Sequence, residues 1–169
     1  MGVIVRTDGT LAIRSEEVLA MPRSLVASGS GNSARDVPVA TLKKLKGAAR
    51  AVAKHAYCPY SGFSVGAAAL STKGETFTGC NVENASYGLT ICAERSAIFQ
   101  MIARAHTALS VLVIYTPTPT PWAPCGACRQ VIAEFGPEAR VISVCDGPEI
   151  LRLSLAELLP HAFGPHNLK

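Results

Sequence analysis

A short, uninterrupted apolar run at residues 111–115, within a strand-like segment at 110–115, constrains the fold of this chain more than any other feature. A strand without alternating polar residues is buried on both faces, so its sheet must be covered by other elements on each side. The run is also far shorter than the ~18 apolar residues that a membrane-spanning helix needs. The sequence therefore predicts a central strand inside an α/β fold.

Helix patterns occur on both sides of this strand. The first is amphipathic, with apolar residues at helical spacing and lysines on the other faces, and Pro59 is expected to end it. Two further helices begin near Cys92 and near Cys125, and a last helical turn covers residues 154–159. The apolar positions of the first helix are Leu42, Leu45, Ala49, Val52 and Ala56.

Four more strands are predicted, at residues 64–71, 76–82, 140–144 and 150–153. The connection between the last two is too short for a parallel crossover, so these strands should be antiparallel. The predicted architecture is a three-layer α/β/α sandwich with a five-stranded mixed sheet whose last strand is antiparallel.

Residues 1–38 lack the periodicity of the rest and include a Gly/Ser-rich stretch at residues 28–33 that is typical of a flexible linker. Two apolar segments among them, residues 3–5 and 11–13, flank a turn signal at residues 7–10 and predict a small hairpin. We expect residues 1–38 to form a flexible or non-catalytic N-terminal extension, and residues 39–169 to form the functional domain.

Charge and composition exclude several classes of protein. The net charge is +4, from 16 Lys and Arg against 12 Asp and Glu, which is too mild and too scattered to predict nucleic-acid binding. The first 21 residues carry acids as well as bases and lack a secretory core, so a cytoplasmic location is expected. Because the cytosol keeps thiols reduced, clustered cysteines there indicate metal binding or catalysis rather than disulfides.

Three of the six cysteines fall at predicted helix starts. Cys125 and Cys128 lie one turn apart, so both thiols project from the same side of a first helical turn. Cys92 occupies the equivalent position on another helix. The positive field at a helix N-terminus favours thiolates, and three converging thiolates suit a tetrahedral ion, with zinc as the first choice.

Three protein ligands leave one position of the metal open to water, which is the arrangement of a catalytic zinc site. None of the other cysteines and none of the four histidines forms a second ligand pair, and we interpret them as packing, surface or internally satisfied groups. Glu94 lies two residues after Cys92, a poor position for a ligand but a good one for exchanging protons with water. The cysteines interpreted as buried packing residues are Cys58, Cys80 and Cys145.

Two arginines are placed to offset the charge of this site. Three thiolates around a divalent ion carry excess negative charge, and an electron-rich centre acidifies its water less, so nearby cations would help. Arg95 lies three residues after Cys92, and Arg129 follows Cys128 directly. We therefore predict that both guanidinium groups donate hydrogen bonds to ligand sulfurs.

The residues around these cysteines resemble a known family. The sequences CAE at residues 92–94 and PCGAC at residues 124–128 match the signature of zinc-dependent nucleobase deaminases in its three-cysteine variant. Longer blocks resemble the homotetrameric cytidine deaminases of pyrimidine salvage. These blocks are residues 57–68, 79–87, 92–95 and 124–135.

The resemblance implies an activity, namely hydrolytic deamination of cytidine and deoxycytidine to uridine and deoxyuridine with release of ammonia. It implies one zinc ion per subunit, held by Cys92, Cys125 and Cys128. Glu94 matches the residue that protonates N3 of the base and then the leaving amine. A nucleoside substrate and a homotetrameric assembly are the partners that follow from the same resemblance.

Further residues match positions that contact the substrate in this family. Asn81 and Glu83 match the pair that holds the ribose hydroxyls. Phe63 matches the aromatic residue that packs against the pyrimidine ring, and Ala93 would offer backbone groups to the base. The positions that match residues lining a neighbouring subunit's site are Tyr87 and Phe163.

Two other functions are compatible with the zinc core. One is a deaminase of another cytosine-containing substrate, either an aminonucleoside antibiotic or a nucleic acid; against a polynucleotide, the chain lacks a basic groove with interleaved aromatic residues. The other is a non-catalytic zinc module, which predicts a fourth protein ligand and no dependence on Glu94.

Overall fold

The structure is a computed structural model that describes residues 4–5, 11–12 and 37–168. The chain divides into two units, Met1–Arg35 and Asp36–Lys169. In the first unit, strands β1 (Ile4–Val5) and β2 (Leu11–Ala12) pair antiparallel, which confirms the predicted hairpin. The linker predicted at residues 28–33 lies outside the described residues, and the non-catalytic role of residues 1–38 stays a prediction.

The second unit contains four α-helices and five strands within the described residues. The helices are α1 (Val39–Ala53), α2 (Ala93–Ala103), α3 (Gly126–Phe135) and α4 (Leu155–Leu158). The strands are β3 (Gly66–Ser71), β4 (Thr76–Cys80), β5 (Leu109–Tyr115), β6 (Arg140–Val144) and β7 (Ile150–Ser154). Short 3₁₀ turns occur at Tyr87–Leu89 and Pro165–Leu168.

The five strands form one mixed sheet in the order β4-β3-β5-β6-β7. Strands β5 and β6 are parallel, with Val113 opposite Ile142, whereas every other neighbouring pair is antiparallel. The antiparallel β6–β7 pair confirms the orientation predicted for the last strand. No helix among the described residues is long and apolar enough to cross a membrane.

Two apolar cores lie on opposite faces of this sheet because side chains alternate along each strand. On β5, Leu112 and Ile114 face the core that includes α2, α3 and α4. Val111 and Val113 face the other core, which includes Leu45 of α1. The fold is therefore the predicted three-layer α/β/α sandwich, and β5 is buried on both faces as its sequence required.

Two predicted element ends, those of the β3–β4 hairpin and of helix α1, differ from the observed ones. The β3–β4 ladder ends at Gly66 opposite Cys80, although the sequence patterns extend to residues 64 and 82. The next amide, Val65 N–H, donates to the side-chain oxygen of Asn81 at 2.8 Å. Helix α1 ends at Ala53, well before Pro59.

Two glycines let helices approach the sheet closely. A Cβ at Gly66 of β3 would collide with the carbonyl oxygen of Ala49 in α1. A Cβ at Gly79 of β4 would collide with the backbone nitrogen of Ala97 in α2. Both obstacles are backbone atoms, so a larger residue at either position must displace a whole helix. Gly79 thereby sets the depth at which α2, which carries Glu94, lies on the sheet.

We expect Gly79→Ala to lower the free energy of unfolding by about 1–3 kcal/mol, because the added methyl overpacks the α2 contact. Urea denaturation at fixed protein concentration measures this change. The control is Gly47→Ala on the exposed face of α1, where an added Cβ meets no atom within 4 Å. That substitution should raise the free energy by about 0.5–1 kcal/mol through helix propensity. Equal effects of the two substitutions would contradict the close-approach argument.

The edge strand β4 has an outward-facing amide that a helix side chain satisfies. The N–H of Thr78 donates to Oε1 of Gln100, a residue of α2, at 3.3 Å. Unpaired edge amides otherwise offer a template for pairing with another chain. Helix α2 therefore covers part of this edge as well as one face of the sheet.

Candidate metal centre

The three predicted ligand sulfurs converge on one point. Cys92 and Cys125 are the residues immediately before α2 and α3, and Cys128 lies in the first turn of α3. Their sulfur atoms all lie within 4.8 Å of one another, and the Cys92 and Cys125 sulfurs are 3.8 Å apart. Tetrahedral zinc–thiolate geometry gives about 3.8 Å between ligand sulfurs, so the cluster fits a zinc ion. All three are free thiols.

A short ladder of backbone hydrogen bonds brings the first of these cysteines into place. Val82 and Ile91 pair antiparallel, with both N–H···O distances at 2.9 Å. On its other side the same segment pairs with Tyr57, which donates to the carbonyl of Asn81 at 3.0 Å. The chain before Cys92 is therefore tied to the segment that carries the predicted ribose-binding residues.

The electrostatics of the cluster favour a thiolate at Cys92. The Cys128 thiol, acting as hydrogen-bond donor, lowers the pKa of Cys92 to about 5, against the effect of burial, and Arg95 and Cys125 act in the same direction. The same interaction with Cys92 raises the pKa of Cys128, and burial adds to that increase. A coordinated divalent ion requires all three as thiolates.

Glu94 lies in the same pocket and is almost fully buried, with 5% of its surface exposed. Burial raises the pKa of its carboxyl group, and the nearby negative charge of Cys92 acts in the same direction. An interaction with the Cys128 side chain lowers the pKa of this carboxyl group, but it is smaller than the effect of burial. A buried carboxyl group with a raised pKa beside a metal cluster is suited to accept and return a proton.

The two arginines that were predicted to contact ligand sulfurs make different contacts in the structure. Arg95 Nη2 lies 3.6 Å from the Cys92 sulfur and donates to the carbonyl of Thr90 at 3.0 Å. Arg129 instead donates from Nε to the carbonyl of Pro124 at 2.8 Å and from Nη1 to Leu158 at 3.1 Å. The expected sulfur contact of Arg129 is therefore wrong. Its planar donor group fits the two carbonyls and fixes the loop that leads into Cys125.

The cluster is open on one side. Cys128 is buried, Cys92 is half-buried and Cys125 is exposed. Within residues 37–168, no other group of three or more histidines, cysteines or carboxylates is close enough to hold an ion. A cluster that is exposed to solvent on the Cys125 side fits an ion with an open coordination position better than a closed structural site.

Among the cysteines outside the cluster, one has the predicted burial and two do not. Cys145 is buried as predicted, whereas Cys58 and Cys80 are only half-buried. Both lie where regular pairing gives way to loop, Cys58 between α1 and β3 and Cys80 at the end of β4, so neighbours cover them incompletely. His106 lies within 3.0 Å of both the Ser71 hydroxyl and the Glu75 carboxylate, which satisfies the ring as predicted.

The residues predicted to bind ribose hold a loop in this structure. Asn81 donates to the carbonyl of Phe63 at 2.9 Å while its side-chain oxygen accepts from Val65. Glu83 accepts from the backbone N–H groups of Tyr60 and Ser61 and from the Ser61 hydroxyl, which lowers the pKa of its carboxyl group. Each side chain keeps unused hydrogen-bonding capacity, since an amide has two N–H donors and a carboxylate has about four acceptor positions.

The other predicted substrate residues fall into two environments. Ala93 is fully buried at the start of α2, with its backbone beside the cluster. Tyr87 and Phe163 instead face outward, with 76% and 59% of their surfaces exposed. Phe163 therefore does not close the core of its own subunit. Tyr87 contacts Tyr60 edge-on, with ring centroids 6.2 Å apart.

Two residues near the site were missed by the sequence analysis. Ser61 joins Glu83 to the Phe63 loop, because its hydroxyl donates to Glu83 and accepts from the Phe63 N–H at 3.0 Å. Trp122 stacks on Phe63 with ring centroids 5.0 Å apart. The signal for Trp122 was its position three residues before Cys125, as the one tryptophan of the chain.

Comparison with known proteins gives one consistent family. The family model for the cytidine and deoxycytidylate deaminase zinc-binding region matches residues 40–144. A cytidine deaminase of Sporosarcina psychrophila is 40% identical over 129 residues, which is 75% of this chain and 94% of that protein. A cytidine deaminase of Mycobacterium tuberculosis strain H37Rv is 42% identical over 132 residues, which is 78% of this chain and 96% of that protein.

Solved structures agree with these sequence relatives. The crystal structure of cytidine deaminase from Burkholderia pseudomallei has a TM-score of 0.69 and 44% identity, over 72% of this chain and 98% of that one. The cytidine deaminase structure from Mycobacterium tuberculosis has a TM-score of 0.65 and 42% identity, over 76% and 99% of the two chains. By sequence and fold, and with a three-cysteine cluster that fits a zinc ion, the chain belongs to the cytidine and deoxycytidylate deaminase family.

Proposed function

We propose that this chain catalyses the hydrolytic deamination of cytidine and deoxycytidine to uridine and deoxyuridine, releasing ammonia, as an enzyme of pyrimidine salvage. The observation that carries the proposal is the buried carboxyl group of Glu94 beside three converging sulfurs. The two kinds of group together supply what replacement of an amine by water needs, namely a metal site for the water and a carrier for its protons.

The metal site we propose consists of Cys92, Cys125 and Cys128, with one zinc ion per subunit. When bound, the ion lowers the pKa of water at its open position toward neutrality and so supplies a nucleophile. Arg95 offsets the negative charge of the sulfurs, because its guanidinium lies 3.6 Å from the Cys92 sulfur. Arg129 acts on the metal site indirectly, because it donates to the carbonyl of Pro124, the residue directly before Cys125.

Glu94 is the proposed catalytic residue, and its work is proton transfer. Its carboxylate takes a proton from water and gives it to N3 of the cytosine ring as oxygen adds to C4. It then passes the second proton to the 4-amino nitrogen, the C4–N bond breaks, and ammonia leaves. A carboxyl group whose pKa is raised by burial suits this cycle, because it holds a transferred proton more readily than an exposed carboxylate does.

The proposed substrate contacts lie on the loops beside the cluster. We assign the ribose hydroxyls to the remaining acceptor positions of Glu83 and the remaining donor of Asn81. The ring of Phe63 packs against the pyrimidine, and backbone groups of Ala93 contact its polar edge. The hydrogen bonds that already hold Asn81 and Glu83 support this assignment, since a fixed side chain loses less entropy when the nucleoside binds.

One assay tests the proposed function directly. Purified protein is incubated with cytidine, deoxycytidine, free cytosine, a cytosine-bearing aminonucleoside antibiotic and a cytosine-containing oligonucleotide, and ammonia release is followed. We expect release from the first two substrates. Release only from the antibiotic or only from the oligonucleotide would show that the substrate belongs to that other class and not to the free nucleosides. No release from any of them by zinc-loaded protein would favour a non-catalytic zinc module.

We also propose a homotetramer in which Tyr87 and Phe163 line a neighbouring subunit's site. Two aromatic rings with most of their surface exposed support this arrangement, because such surface is commonly covered by a partner. Light scattering should give four times the chain mass of 17.7 kDa. A cytoplasmic location and a non-catalytic role for residues 1–38 complete the proposal, and fractionation and removal of that segment test them.

A further inference from the structure

The backbone of Phe63 is held from both sides. Its N–H donates to the Ser61 hydroxyl at 3.0 Å, and its carbonyl accepts from Asn81 at 2.9 Å. The following amide, that of Val65, is also held by Asn81. These hydrogen bonds fix the backbone but do not fix the rotation of the Phe63 side chain. The direction of its ring therefore depends on what packs against it.

Trp122 is the aromatic partner of that ring. The two ring centroids lie 5.0 Å apart and the planes are inclined by 19°, so the rings are stacked. A stacked partner covers one face of the Phe63 ring, so only the opposite face could receive another ring. Trp122 itself is half exposed, with 53% of its surface in contact with solvent. Burial of the indole in a core therefore does not account for this position.

The loop that presents Trp122 is stiff and is fixed to the metal-site helix. It contains four prolines, at positions 117, 119, 121 and 124, each of which fixes one backbone dihedral. The Thr118 hydroxyl donates to the carbonyl of Thr120 at 2.7 Å, and the Thr118 carbonyl accepts from Asp146 N–H at 3.0 Å. Beyond Trp122, the carbonyl of Pro124 accepts from Arg129 of α3.

We propose that Trp122 is a positioning residue for the base: it fixes the plane of the Phe63 ring so that the free face of that ring receives the pyrimidine of the nucleoside. This inference rests on the proposed function and adds a specificity role to it. Because the indole is carried on the loop that ends at Cys125, the stack also sets the distance between the base-binding ring and the metal site.

The test compares Trp122→Ala with the conservative Trp122→Phe, which keeps a ring for stacking. We expect Trp122→Ala to raise KM for cytidine about 3- to 10-fold with a smaller change in kcat, as the loss of one aromatic pair predicts. Trp122→Phe should restore most of the wild-type KM. The matched control is Phe99→Ala, an exposed aromatic residue of α2, which should leave KM unchanged. Zinc content and melting temperature are measured for every variant.

A second readout uses the protein without substitution at this position. Trp122 is the single tryptophan of the chain, so intrinsic tryptophan fluorescence reports on this site alone. We expect saturating uridine to change its emission, and Phe63→Ala to remove that change. This readout holds even where Trp122→Ala fails to fold.

Different experimental results would contradict the proposed function and the proposed role of Trp122. Absence of cytidine turnover by the zinc-loaded wild type overturns the proposed function. An active wild type whose KM is matched by Trp122→Ala, or whose emission does not respond to uridine, overturns the positioning role of Trp122 and leaves the function in place.

Discussion

Replacing Glu94 with glutamine is expected to remove most of the turnover while zinc stays bound. Glutamine has nearly the same shape but does not carry a proton from water to N3 or to the 4-amino nitrogen. General acid–base catalysis by one side chain contributes about 100- to 10,000-fold to a rate, so kcat should fall by at least about 100-fold. Steady-state kinetics with cytidine, together with zinc analysis of the same sample, measures both quantities.

The matched control for this substitution is Glu134→Gln, an exposed glutamate of α3, which should keep wild-type kcat and zinc content. A Glu94→Gln protein that is zinc-loaded and fully active would end the assignment of Glu94 as the proton carrier. Loss of zinc together with activity would show that Glu94 holds the metal site rather than the proton, which also contradicts the prediction.

Replacing Cys128 with serine is expected to abolish zinc binding and activity together. The Cys128 sulfur is fully buried and lies within 4.8 Å of the other two sulfurs, so no neighbouring thiol can take its place. Zinc content should fall from about one ion per chain to near zero, given the three-ligand requirement of such sites. Because ligands that bind only the folded state stabilise it, a chelator should lower the melting temperature of the wild type and leave that of Cys128→Ser unchanged.

Cys145→Ser provides the control for thiol loss at a buried position. Cys145 is 3% exposed, and its sulfur contacts carbonyl oxygens of Pro119, Gly147 and Glu149 at 3.5–3.6 Å, away from the three ligand sulfurs. A serine hydroxyl at that position can donate to the same oxygens. Zinc content equal to wild type in Cys145→Ser and near zero in Cys128→Ser is the expected result; retention of zinc by Cys128→Ser would exclude Cys128 as a ligand.

Most of the fold could be predicted from the sequence, because apolar residues at helical spacing mark the helices and a continuous apolar run marks the central strand. The apolar run of β5 demanded cover on both faces, and the two cores on either side of Leu112 and Val113 provide it. The ends of elements were less predictable. The β3–β4 ladder stops beside Asn81, whose side-chain oxygen accepts from the Val65 N–H, and a side-chain contact of this kind leaves no periodic pattern in the sequence.

At the site, the positions of residues along helices could be predicted from their spacing in the sequence, whereas contacts between loops could not. The CxxC spacing and the helix start at Cys92 placed three sulfurs together, and Arg95 lies one turn from its sulfur. Arg129 is also close to a cysteine in the sequence, since it follows Cys128 directly, yet its side chain donates to the carbonyls of Pro124 and Leu158. The Phe63–Trp122 stack joins residues 59 positions apart, and only the folded loops reveal it.

The amide of Thr78, occupied by Gln100, has a consequence for how copies of this chain can associate. A strand from a second copy that extended the sheet past Thr78 would first have to displace this side chain. Growth of the sheet at this point of β4 is thereby disfavoured, and with it the route by which exposed strand edges lead to aggregation.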